Sequence, residues 1–115
     1  MKKIFKSFGY AFNGLITCFK TETNFKIECL FGLVAVVLGF FFKISSLEWI
    51  AIVSCIALVL CAEAFNTAIE NLCNLIDEKP NPQIKIIKDV AAAATLIVAI
   101  ASAVIGCIIF LPKLF

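Results

Sequence analysis

The chain contains no histidine and no arginine, and only 16% of its 115 residues are charged. Lacking histidine, it has neither the usual zinc ligand sets nor the Ser-His and Cys-His pairs of nucleophilic catalysis. Hydrophobic residues reach 63% and the mean hydropathy is +1.07. So few polar groups cannot cover the large relative surface of a small soluble domain. A soluble enzyme and a disordered tail are both excluded, which leaves one integral membrane domain over 1–115. A net charge of +2 is too small to attract nucleic acid. The six cysteines form no C-x-x-C pair and lie mostly in apolar runs, so they read as small packing residues, not as a disulfide framework. Gly9 and Gly14 have the G-x-x-x-x-G spacing, but Leu15-Ile16 follows where a phosphate loop needs Lys-Ser/Thr. There is no internal repeat, and no compact apolar segment with a cleavage site to suggest a secretory leader.

What is present is an ordered series of helices. Over 1–21 the apolar residues Ile4, Phe5, Phe8, Phe12, Leu15, Ile16 and Phe19 fall within roughly 120° of a helical wheel. Lys2, Lys6, Asn13, Thr17 and Lys20 lie outside that arc, the pattern of a basic amphipathic helix resting in a membrane interface. Three spans follow, at 24–44, 47–76 and 90–111, each long enough to cross a hydrocarbon core that needs about 20 residues. Lys43 to Glu48 reads as a short polar turn. Asp77 to Pro82 reads as a loop, and Pro112-Lys113 as the stop after the last span. With the N-terminus inside, eight lysines lie on the cytoplasmic side and only Lys43 and Lys113 on the outer side. That asymmetry predicts a multi-pass protein of a bacterial cytoplasmic membrane with its N-terminus cytoplasmic.

Ionisable groups within a span are costly and point to function. The second span carries Glu63, Asn66, Thr67, Glu70, Asn74 and Asp77 within about 100° of one helix face. This stripe climbs from inside the bilayer toward the cytoplasmic surface. Glu63 and Glu70 are separated by roughly 10 Å of helix rise, so they occupy different depths of one site rather than flanking one ion. Glu22 before the first span and Lys88-Asp89 at the start of the third lie at the same level. Glu22 and Glu70 have the chemistry of Mg²⁺ ligands, because Mg²⁺ binds through one or two carboxylates plus substrate phosphates. Lys88 offers a compact positive charge to a phosphate. Taken singly, Glu28 and Glu48 read as structural groups that join helices.

These residues resemble the small prokaryotic diacylglycerol kinase and undecaprenol kinase family over nearly the whole chain. The most specific part is Glu63-x-x-Asn66-Thr67-Ala68-Ile69-Glu70, followed by Lys88-Asp89-Val90-Ala91-Ala92. Tyr10-x-x-x-Gly14-Leu15, Glu22-x-x-Phe25-Lys26-x-Glu28 and Glu48-Trp49 support it. The resemblance implies an all-α homotrimer with an N-terminal surface helix, three membrane helices per subunit and active sites shared between subunits. It implies ATP and Mg²⁺, with a membrane lipid alcohol as acceptor. By matching position, Glu63 is the proton acceptor, supported by Asn66, and Glu22 and Glu70 are the metal ligands. Tyr10, Lys88 and Asp89 contact the nucleotide, with Lys3, Lys79 and Asn81 as further contacts. The chain departs from the family at Asn74, where an aspartate is frequent, and at Lys3 and Lys26, where arginine is. Ala92 and the ending Ile108-Ile109-Phe110-Leu111-Pro112-Lys113 resemble the undecaprenol kinase branch more than the diacylglycerol one. The residues by themselves leave a second reading open, a small ion- or proton-conducting subunit in which Glu63 binds the ion. That reading gives Glu22, Glu70 and Lys88-Asp89 no role.

Overall fold

Long apolar runs leave the backbone no option but helix, since only a helix satisfies its own N–H and C=O groups in lipid. The computed structural model describes all 115 residues as four helices and no strand: α1 (Lys2–Thr21), α2 (Thr23–Phe41), α3 (Ser46–Ile76) and α4 (Pro82–Leu114). The last three are long and apolar enough to cross a membrane. At 1.5 Å per residue α2 is about 28 Å long, close to the ~30 Å hydrocarbon thickness, while α3 and α4 reach roughly 46 and 50 Å.

Each junction has a local cause. Glu22 is the single extended residue (φ −113°, ψ 112°) between α1 and α2, and its N–H still bonds the Cys18 carbonyl at 2.9 Å. The α2–α3 corner closes as a Schellman motif: Ile44 N–H donates to Gly39 O (3.1 Å) and Lys43 N–H to Phe40 O (3.3 Å). Lys43 takes the left-handed conformation (φ 51°) that glycine usually fills there. The apolar run continues to Ile44, but this turn ends the helix at Phe41, three residues before the end expected for that span. α3 then starts with a capping box, Ser45 Oγ accepting from Glu48 N–H and Glu48 Oε1 from Ser45 N–H.

α4 differs most from expectation, starting at Pro82 rather than near residue 90. Asn81 Oδ1 caps the N–H groups of Gln83 and Ile84, and Pro82 fits the first helical position because its missing N–H would have had no helical partner. At the far end Pro112 lies within the last turns rather than stopping the helix, which runs on to Leu114. A proline this near the end removes one backbone bond without ending the helix, and Phe115 N–H still bonds the Leu111 carbonyl at 3.3 Å.

α3 is central, packing against α4 most extensively, then α2, with α1 touching α2 and α3. The molecule measures 51 × 41 × 21 Å, so the spans lie nearly in one layer and none is enclosed. Only 14 residues are buried. Ile44, Ile52, Ile109 and Phe110 form the core at the corner end, with Trp49 and Phe42 against it. There too Lys113 Nζ reaches Glu48 Oε2 at 2.7 Å, tying the end of α4 to the start of α3.

Trp49 packs against α2 at Gly39, where a Cβ would come within 2.6 and 2.9 Å of its ring atoms. Gly39→Val must therefore displace the indole, and it is expected to cost about 1–3 kcal/mol. Lys43→Gly, which removes the left-handed penalty, is expected to gain roughly 0.5–1 kcal/mol. Midpoints of unfolding in detergent check both, and they should move in opposite directions.

Candidate functional site

Helix lengths decide which polar groups meet. Measured from Ser46 at 1.5 Å per residue, Glu63 stands about 26 Å along α3. Measured from the same corner up α2, Glu28 and Glu22 stand at roughly 20 and 28 Å, so Glu63 falls between their levels. Glu63 and Thr67 are the buried polar side chains of the chain, 8% and 5% exposed. Thr67 donates its hydroxyl to the Glu63 carbonyl at 2.9 Å and so satisfies itself within the helix. The Glu63 carboxylate has no cationic partner, because the two ion pairs of the chain are Lys85–Asp89 and Lys113–Glu48.

None of Glu22, Glu28, Glu63 and Glu70 is ion-paired to a basic side chain. Glu22 sits at the N-cap of α2 and makes no side-chain capping bond, so its oxygens are free and near a helix N-terminus that favours negative charge. Glu70 accepts from Asn66 Nδ2 at 3.3 Å. Asn66 therefore braces Glu70, one turn further out, rather than Glu63. Its carbonyl Oδ1 is buried and has no partner, an acceptor ready for a hydroxyl or a water.

Glu28 is the residue that reading the sequence undervalued. It joins no helices through an ion pair. It also stands at one end of a groove of about 400 Å³ between α2, α3 and α4, whose lining includes the small residues Gly32, Ala35, Ala103 and Gly106. Counting helix rise from the Lys43 turn along both helices would have placed it there. Glu48, by contrast, is the structural group expected, joined to Lys113 and to its own capping box.

On α4, Lys88 and Asp89 part company. Lys88 Nζ donates to Asn74 Oδ1 of α3 at 2.8 Å, whereas Asp89 pairs with Lys85 at 2.6 Å on an exposed face. The loop residues serve the turn: Asp77 accepts from Lys79 N–H and Asn81 Nδ2, and Asn81 caps α4. Within one chain Tyr10 is 72% exposed. Lys3 borders a shallow depression lined by α1 residues alone. Neither is brought against the carboxylates of its own subunit.

No three acidic or cysteine side chains come close enough to cage a metal by themselves. A divalent ion that also binds phosphates needs only one or two protein carboxylates, and hard oxygen donors without a cation partner are what the cluster provides. Glu22 and Glu70, neither of them ion-paired, have donor chemistry that would suit Mg²⁺ in that shared mode.

Comparison with known proteins gives the chemistry its context. The sequence pattern of prokaryotic diacylglycerol kinase matches residues 9–110. The undecaprenol kinase of Bacillus subtilis is 38% identical over 99% of this chain and 93% of its own length. The diacylglycerol kinase of Synechocystis is 32% identical over 94% of this chain and 62% of its own. That of Escherichia coli K12 is 29% identical over 93% and 88%. The chain therefore belongs to the prokaryotic diacylglycerol kinase family of membrane lipid kinases.

Proposed function

We propose that this lipid kinase transfers the γ-phosphoryl group of ATP to the hydroxyl of a membrane polyprenol, undecaprenol in preference to diacylglycerol. The observation that carries the reaction is Glu63, buried, without a cation, and level with the carboxylates at the start of α2. A lipid hydroxyl resting at the interface reaches that depth. In the transfer its oxygen bonds to the γ-phosphorus, the bond to the ADP oxygen breaks, and Glu63 receives the hydroxyl proton. Asn66 Oδ1, unpartnered, accepts from the incoming hydroxyl and holds it in line. Glu22 and Glu70 would hold Mg²⁺, which would neutralise phosphate charge when bound. Lys88, with Tyr10 and Asp89, contacts the nucleotide, and Lys3, Lys79 and Asn81 border it. The choice of lipid is supported by the 38% identity to an undecaprenol kinase against 32% and 29% to diacylglycerol kinases.

The working unit is a homotrimer with shared sites in the bacterial cytoplasmic membrane, its N-terminus and nucleotide side cytoplasmic. A single layer of spans cannot surround a lipid headgroup and ATP together, and Tyr10 and Lys3 lie apart from the carboxylates of their own chain. The lysine asymmetry supports the orientation.

Three outcomes are expected. Glu63→Gln should cut turnover by roughly 10²-fold or more with little change in apparent lipid or ATP binding. Counting labelled phosphate in extracted lipid measures this and names the acceptor; a fewfold loss would remove Glu63 as the base. An ion-conducting subunit would yield no labelled lipid at all. Glu70→Gln should insert and fold normally but lose most of the Mg²⁺-dependent part of nucleotide binding. If that dependence is unchanged in a titration, Glu70 is not a ligand. Finally, co-assembling Glu63→Gln with Glu22→Gln subunits should restore part of the activity. Verified mixed oligomers that stay dead would mean each subunit carries its own complete site.

A further inference from the structure

Helix α3 is central to the layer, yet it is covered on one side only. Its buried residues Ile52, Val59, Glu63, Thr67 and Cys73 fall within about 120° of a helical wheel. On the opposite side Leu58, Cys61, Phe65, Ala68, Leu72 and Leu75 are all exposed. Their spacing alternates three and four residues, the a and d positions of a heptad. Ser54 and Leu47, also exposed, carry the same repeat back to the corner, so it runs almost the whole helix. None of these residues is charged.

Two features identify what covers this face. A surface turned to lipid needs neither a fixed repeat nor small residues. Here Cys61 and Ala68 hold successive d positions and let a second helix backbone come close. Lipid also cannot reach the whole seam. Measured from Ser46, Leu72 and Leu75 stand about 39 and 44 Å along α3, past a hydrocarbon core of ~30 Å. Leu75 is 85% exposed in the single chain and needs protein over it. With roughly 100 Å² from each large side chain, two copies meeting here would bury on the order of 1,200 Å², the lower end of a specific interface.

We propose that copies of this chain join in parallel along the back face of α3, with the Cys61 thiols of neighbouring copies side by side in the seam. Parallel order follows from the lysine asymmetry, which gives every copy one orientation. Like layers then meet, Cys61 with Cys61 and Phe65 with Phe65. Glu63 and Glu70 lie on the other side of α3, so the seam leaves every site stripe on the outside of the assembly. The inference rests on the homo-oligomer reading and not on the chemistry of the site.

Disulfide trapping in proteoliposomes tests it. The full chain keeps Cys61, and its other five cysteines are replaced by alanine. Copper(II)–phenanthroline takes two electrons for each disulfide formed, and the two thiol protons pass to water. A covalent dimer should form from Cys61, with a yield that holds on dilution with excess lipid. A chain keeping only Cys107, exposed on α4 and off the seam, should give roughly tenfold less, since a disulfide needs closely placed backbones. Because removing cysteines can loosen the fold, Ala68→Phe in the otherwise unaltered chain is the second variant. Its bulk at a close-approach layer should lower the oligomeric fraction severalfold in native mass spectrometry. If Cys61 gives no more dimer than Cys107, or if Ala68→Phe stays fully oligomeric, the seam is wrong while the homo-oligomer reading stands. A wild-type chain that is monomeric in the bilayer removes both.

Discussion

Register between α2 and α3 is set at one place, the corner from Phe42 to Ser45, and the site depends on it. The Schellman closure at Gly39 and the capping box at Ser45 leave no slack between the helices. Trp49 against Gly39 then fixes their separation, and Glu48–Lys113 pins α4 to the same end. With one end locked, depth at the other end is only a count of residues. Glu63 arrives between the levels of Glu28 and Glu22 because both helices start from that corner. A one-residue change there would shift every pairing about 26 Å away by 1.5 Å and turn the stripe by about 100°.

The second constraint is thickness. α2 just spans the hydrocarbon, whereas α3 and α4 are longer, and the surplus all falls at the end away from the corner. That surplus carries Glu70, Asn74 and Lys88 further from the corner than Glu63. The two depths follow from helix length alone.

Electrostatics complete the arrangement by omission. Glu63, Glu28, Glu22 and Glu70 take no part in an ion pair, while Lys85, Lys88 and Lys113 are engaged elsewhere. The packed core of Ile44, Ile52, Ile109 and Phe110 lies at the other end.

The amino-acid order by itself determined the helical class, the three spans and the polar stripe, because periodicity and the cost of burying charge act along a single helix. Glu63, Asn66 and Glu70 were legible for that reason, and their motif pointed to the lipid kinase family. Local caps decided where helices begin and end, moving α4 back to Pro82 and stopping α2 at Phe41. Tertiary structure decided what depends on two helices at once. It drew Lys88 across to Asn74 and away from Asp89, and it joined Glu48 to Lys113. None of these can be read from spacing within one helix, since each depends on how far one helix is slid and rotated against its neighbour. Packing at the corner fixes that quantity.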